Sequence, residues 1–297
     1  MRFFTFSASL AVLVGAAVFS QAQRTDTPDE AARAAATKLF ASFDADQKKA
    51  ALLEFDDKDK YKEEFPAVKR KGITFDKLTA DQKTLADAAI RAVTSSYGAE
   101  RCLEVAKQTP PGSRYVTFYG EPGTGKPFAW RIAQHHLTLI HAEFGTNPAR
   151  EFGPILLGGN PVKTLWDEEE KIAIELYASL SKEEAKSIQG KGGNGSGQPI
   201  GKNGVKIADL NEKSRALAKK LLAKRLDVFS SDRRKVLESM IETDGGADQL
   251  RIAVWGEIAK GNLEGGNYHW RIGGPAILCD WQTAGKNHLH MTVRGRI

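Results

Sequence analysis

The chain has 297 residues, of which 41% are hydrophobic and 27% charged, a balance that fits a globular protein and excludes a disordered or fibrous one. Its 43 basic and 37 acidic residues leave a formal net charge of +6, with the two signs interspersed, so nucleic acid is not an expected partner. Cys102 and Cys279 are the two cysteines, too few for a disulfide-built scaffold; they form one bridge or stay as two buried thiols.

The N-terminus reads as an export leader. Arg2 supplies the positive start, Ala8 to Phe19 is apolar, and Ser20 and Ala22 give a small-x-small cleavage pattern. The apolar run falls short of the roughly 20 residues that span a bilayer. Residues 1–22 are therefore expected to be a Sec-type signal peptide, sending the chain to the periplasm or the extracellular space without stable membrane insertion. Residues 23–297 are expected to fold as one domain, of open oligomeric state.

Helices come first, over residues 28–107. Thr27-Pro28-Asp29-Glu30 is a capping box with proline at the first helical position, opening a helix from Asp29 to Phe43. A second runs from Ala45 to Phe55. Thr79-Ala80-Asp81-Gln82 opens a third that Gly98 should end, and a fourth covers Ala99 to Lys107. After Pro110-Pro111-Gly112 the pattern changes to strands over 114–158: Tyr115 to Tyr119, Phe128 to Gln134, His136 to Phe144, and Pro154 to Leu157. Helices return over 167–242, one capped by Ser181 and Glu184 and one opened by Asp209. Gly190 to Gly201 reads as a flexible surface tip. Strands close the chain over 249–294: Gln249 to Ile258, Tyr268 to Ile272, Ala276 to Trp281, and His288 to Val293. No internal repeat stands out. Strands in adjacent groups with short turns favour antiparallel pairing and an α+β fold.

One stretch invites a wrong reading. Gly120-Glu121-Pro122-Gly123-Thr124-Gly125-Lys126 matches most of a phosphate-binding loop. That loop needs a serine or threonine next, and a helix whose N-terminus meets the phosphates. Pro127 and a strand-like segment follow instead, so a hairpin turn is expected.

The histidines carry the chemistry. Four of six lie in Gln134-His135-His136-Leu137 and Asn287-His288-Leu289-His290. Residues two apart on a strand share a face, so His288 and His290 can aim at one point. On a strand His135 and His136 face opposite ways, so one is expected in the site and the other in a packing role. Three imidazoles with an open position suit zinc, copper or iron. His269 is a candidate fourth, and Glu121 and Asp280 are carboxylate candidates. Arg131 and Arg271 could clamp an anionic group of a small-molecule substrate or ligand. The competing readings are a metal-free hydrolase or lyase with histidine as general base, and a binding module whose tryptophans, Trp130, Trp255, Trp270 and Trp281, line a groove rather than the core.

An ordered set of motifs spans roughly residues 30 to 294: Phe118-Tyr119-Gly120-Glu121-Pro122, Trp130-Arg131 followed by His135-His136-Leu137, Gly158-Gly159-Asn160-Pro161, His269-Trp270-Arg271-Ile272 with Gly274-Pro275, and Asn287-His288-Leu289-His290. By these the chain resembles the secreted family catalogued as domain of unknown function 3500. The family's closing motif usually continues into Trp-Arg-Asp, whereas here Met291-Thr292-Val293-Arg294 follows. The resemblance implies an exported single-domain protein with a shared His-rich site at His135, His136, His269, His288 and His290, with Glu121, Arg131 and Arg271 beside it. It implies no particular reaction.

Overall fold

The structure, a computed structural model, describes residues 28–62, 70–143, 155–192 and 198–295. The leader and the Thr27 end of the first capping box lie outside the described residues. The chain begins with α1 (Pro28–Ala41), α2 (Ala45–Ala51), β1 (Leu52–Leu53), β2 (Ile73–Thr74), α3 (Ala80–Val93) and α4 (Ser96–Lys107). A meander follows: β3 (Tyr115–Tyr119), β4 (Phe128–Gln134), β5 (Leu137–Glu143) and β6 (Ile155–Gly159). Next come α5 (Asp167–Ala178), α6 (Lys182–Ser187), β7 (Val205–Lys206), α7 (Glu212–Leu226) and α8 (Ser231–Thr243). The second meander is β8 (Arg251–Gly256), β9 (Tyr268–Gly273), β10 (Ile277–Thr283) and β11 (Leu289–Gly295). The fold is α+β, as predicted. All eleven strands share one sheet, ordered β1-β3-β4-β5-β6-β11-β10-β9-β8-β7 with β2 beside β3. Only the β1–β3 pairing is parallel among the named strands.

Local chemistry sets most boundaries. Asp44 with Gln47, Thr79 with Gln82, and Ser181 with Glu184 each form a reciprocal capping box. Three expectations need correction. The helix from Ala45 stops at Ala51, because Leu52 and Leu53 pair with Phe118 and Tyr119. Gly98 does not end a helix: it lies in the first turn of α4, where Ser95 accepts a hydrogen bond from its N–H. A side chain there would place Cβ 1.9 Å from the Val228 carbonyl oxygen, so the glycine serves close packing. The cap of α7 is Asn211, and Asp209 sits in the 3-10 turn before it.

The sheet has two unlike faces. Val116, Trp130, Ile132, Leu157, Met291 and Trp270 point to the helices and join them in one large core. The other face carries Thr117, Arg131, Thr138, Asp280, Arg271 and Thr292, all buried. Part of its cover comes from Leu53, Phe55 and Tyr61, packed on Tyr119, Ala129 and Ala142. Part comes from the glycine-rich loop, whose described ends are no free tip. Ile200 packs with Ala253 and Trp255, and the Trp255 indole N–H donates to the Gly192 carbonyl at 3.1 Å; residues 193–197 of that loop lie outside the described residues.

The element order also reveals an internal duplication that the sequence reading missed. Each half runs two helices, short edge pairings (β1 and β2 in the first, the Gln189 bridge and β7 in the second), a 3-10 turn, two helices and a four-stranded meander. The pairings match residue for residue. Ile73 pairs with Val116 and Thr74 with Tyr115 in one half; Val205 pairs with Ile252 and Lys206 with Arg251 in the other. The Leu52–Phe118 parallel pair corresponds to the Gln189–Val254 parallel bridge. Gly72 and Gly204 both press against a β-strand carbonyl, of Val116 and of Ile252. Trp130-Arg131-Ile132 in β4 recurs as Trp270-Arg271-Ile272 in β9, and Phe118 faces Trp130 as Val254 faces Trp270. The meanders meet edge to edge, β6 against β11, closing one continuous sheet.

Candidate metal centre

The β4–β5 register pairs Gln134 with Leu137, so His135 and His136 are the two residues of a hairpin turn. The expectation that strand alternation would send them to opposite faces is corrected here. A turn releases its residues from the two-residue period of the flanking strands. The two rings lie one on the other, centroids 4.1 Å apart and 12° from parallel. Both imidazoles therefore enter the site.

The second pair behaves as its spacing requires. Leu289 turns into the core, while His288 and His290 flank it, ring centroids 4.8 Å apart. Asn287 before them has φ of 57°, a left-handed conformation that asparagine tolerates. Its Oδ1 accepts from the Lys163 backbone N–H at 2.8 Å. The Asn262 amide donates to the carbonyls of Gly285 and His288, at 2.7 and 3.2 Å. These bonds hold the β10–β11 loop against the sheet.

Between the two histidine pairs runs β6. Its Gly158 is registered against His290 and adjoins the Leu137–Leu157 pair of β5. A Cβ on Gly158 would stand 3.1 Å from His136 Cδ2 and 2.2 Å from the Leu289 carbonyl oxygen. The bare glycine backbone thus lets His136 reach across an intervening strand. His136 lies 5.1 Å from His290 and 5.0 Å from His288 between ring centroids. One ligand nitrogen from each of His135, His136, His288 and His290 falls within 4.8 Å of all the others. His136 Nε2 and His288 Nε2 are 2.9 Å apart, one donating its N–H to the other. A tetrahedral zinc site with bonds of about 2.0–2.1 Å has nitrogens about 3.3 Å apart, a value between the 2.9 Å of this pair and the 4.8 Å that bounds all four.

The electrostatics favour ligands over cations. Burial, followed by the charges of neighbouring imidazoles, pulls His136 and His290 down to about 3. Burial also lowers His135 and His288, and the charges of His288 and Arg70 add to the effect on His135. Imidazoles held neutral near pH 7 are the form that binds metal.

The other candidates lie apart. His269 is not among the four: it sits on β9, its Nε2 hydrogen-bonded to Asp280 and its ring 5.0 Å from that of Trp255. Arg271 grips the same carboxylate, Nε to Oδ1 at 3.1 Å and Nη2 to Oδ2 at 3.2 Å. Burial alone would raise the Asp280 pKa, but the His269 bond and the Arg271 charge hold it below the usual carboxylate range. Arg131 is buried on β4 and donates to the Asp59 carbonyl at 2.7 Å. Glu121 is exposed at the start of the β3–β4 turn, the length of β4 away from His135, or about 20 Å. That turn leads into a strand, as predicted, and not into a phosphate-binding helix. Trp130, Trp270 and Trp281 are core residues. Cys102 and Cys279 are separate buried thiols, both pushed up to about 12 by burial.

A family model described as "Protein of unknown function (DUF3500)" matches residues 25–296. The chain belongs to this family. No curated protein and no solved structure matches it. Within this DUF3500 chain, sequence reasoning missed the second imidazole of the turn, the role of Gly158 and the duplication. A signal existed for Gly158, since glycine inside a strand often marks close approach by another group.

Proposed function

We propose that this chain is an exported metal-binding protein. His135, His136, His288 and His290 together hold a first-row transition ion such as zinc, copper or iron. The observation that carries this reading is the convergence of four neutral imidazoles, one pair from the β4–β5 turn and one from the start of β11, over one glycine. The duplication supplies an internal control. The β9–β10 turn, equivalent to the β4–β5 turn, carries Pro275 and Ala276 where the other has His135 and His136. The turn thus folds without imidazoles, and a purely architectural reason for the histidine pair falls away.

We further propose that the bound ion makes the protein a metal-dependent enzyme acting on a small molecule, the ion supplying Lewis-acid or redox chemistry. The export leader read in residues 1–22 supports action outside the cytoplasm. The test is elemental analysis of the purified protein and of a His288→Ala, His290→Ala variant. The wild type should carry about one ion per chain and the variant almost none, with the fold retained by circular dichroism. Equal metal content in the two proteins would refute the assignment. Activity that survives exhaustive chelation would favour histidine acting as a metal-free general base.

A further inference from the structure

We propose that Arg233, His141 and Glu143 form a proton-operated latch between α8 and β5, in which a second proton on the His141 ring expels Arg233 and frees the first turn of α8.

The bonding fixes where that proton must go. Arg233 Nη1 donates to His141 Nδ1 at 2.7 Å. A guanidinium has only N–H donors and keeps its charge throughout the physiological range, so Nδ1 is a bare lone pair. The ring's single N–H is then on Nε2, which donates to Glu143 Oε1 at 3.0 Å. Glu143 Oε2 accepts in turn from Nε of the exposed Arg33 on α1, at 2.6 Å. Arg233 Nη2 donates to the Ile140 carbonyl at 3.1 Å. The one place left for a proton on the ring is the nitrogen that Arg233 occupies, so protonation and the Arg233 bond exclude each other. An imidazolium would also face a guanidinium at bonding distance, with both side chains buried. Burial chiefly, with the charges of Arg233 and Arg33 adding to it, holds His141 below its ordinary value against the opposing pull of Glu143. Glu143 is nevertheless already in contact, so the unlatched ring has a carboxylate to hold its charge.

The duplication shows that the fold does not require this group. The Ser95 N–H donates to the Val228 carbonyl and the Ser230 N–H to the Val93 carbonyl, which aligns α4 with α8 and Gly98 with Arg233. Trp281 faces Trp270 as His141 faces Trp130. The equivalent positions thus hold a glycine and a tryptophan, and that half folds without a buried ionic group there. Buried ionic groups contribute little stability over apolar ones, and their best-attested use is in setting register or switching.

The experiment is amide hydrogen exchange of the full chain from pH 7 to pH 5, with each rate corrected for the pH dependence of exchange itself. α4 is the reference, because global unfolding exposes both helices alike. Opening of α8 should grow by up to about tenfold per pH unit below the ordinary histidine value of about 6.5, and α4 should change less. His141→Gln can accept from Arg233 and donate to Glu143 but takes up no proton, so it should abolish the difference between the helices. An α8 that tracks α4 at every pH, or extra opening that persists in His141→Gln, would overturn the latch. Nitrogen NMR of the histidine rings in the wild type decides the matter even if that variant fails to fold. Nδ1 bare and Nε2 protonated at pH 7 supports the latch, and a proton on Nδ1 at that pH overturns it. Arg233→Met should raise the pH at which His141 takes its second proton; an unchanged titration would count against the latch.

Discussion

Gly158 of β6 stands in register with His290 of β11, and His136 closes over it from the other side. The β4–β5 turn, β6 and β11 thus set imidazole, glycine and imidazole side by side, and the middle position must lack a side chain. Gly158→Ala should therefore act twice. The added Cβ meets the Leu289 carbonyl oxygen at 2.2 Å, which forces the β6–β11 seam to shift. Overpacking of this kind costs about 1–3 kcal/mol. Urea denaturation should report that loss, and metal titration should report weaker binding than in the wild type. Wild-type metal affinity in Gly158→Ala would show that His136 does not need this gap.

The two ligand pairs come from the two halves of the duplication, so an ion should fasten one half to the other. Metal at a hundred times its dissociation constant should stabilise the fold by about 2.7 kcal/mol. Amide hydrogen exchange should slow along β6 and β11 more than along β3 or β8. Uniform slowing, or none, would contradict a clamp at the seam.

Metal-free protein should lose stability as the pH falls below about 6.5. Burial lowers His136 and His290 to about 3 and also lowers His141, which lies between Arg233 and Glu143. A folded-state pKa below the unfolded value means that the unfolded chain takes up protons first. Stability is therefore complete above the unfolded value and declines as the pH drops toward the folded one. Each such group contributes up to about 1.4 kcal/mol per pH unit in that window. Urea midpoints measured from pH 7 to pH 5 in the presence of chelator check this, and a flat profile would contradict it.

The Arg271–Asp280–His269 group should be structural. Asp280→Asn removes the charge that two buried bases share, and breaking a buried pair on one side costs about 3–5 kcal/mol. His269→Gln, in contrast to the His288 and His290 changes, should leave metal content unchanged. Loss of metal in His269→Gln, with the fold intact, would make His269 part of the centre.

The sequence made the hairpins and caps legible because their signals are local. Thr79 with Gln82, Ser181 with Glu184, and alternation in Tyr115 to Tyr119 each act within a few residues. The same locality misled at His135-His136. Two-residue hairpin turns usually carry glycine or asparagine, so a histidine pair beside an alternating run reads as strand. The duplication stayed hidden because it survives mainly as pairing and glycine placement, with Trp130-Arg131-Ile132 and Trp270-Arg271-Ile272 among the few shared residues. Even there the chemistry diverged: His269 and Asp280 occupy positions held by Ala129 and Ile140 in the first half. Which distant imidazoles meet depends on β6 inserting between β5 and β11, a long-range pairing that no local pattern encodes.

X-ray absorption at the metal edge of the purified, metal-loaded chain reads the ligand set of the His135, His136, His288 and His290 centre itself. The inner shell should be dominated by four imidazole nitrogens, with the outer-ring scattering of histidine. For zinc those nitrogens should lie at about 2.0–2.1 Å. A shell containing sulfur, a shell of oxygens alone, or no stoichiometric metal to measure would contradict it.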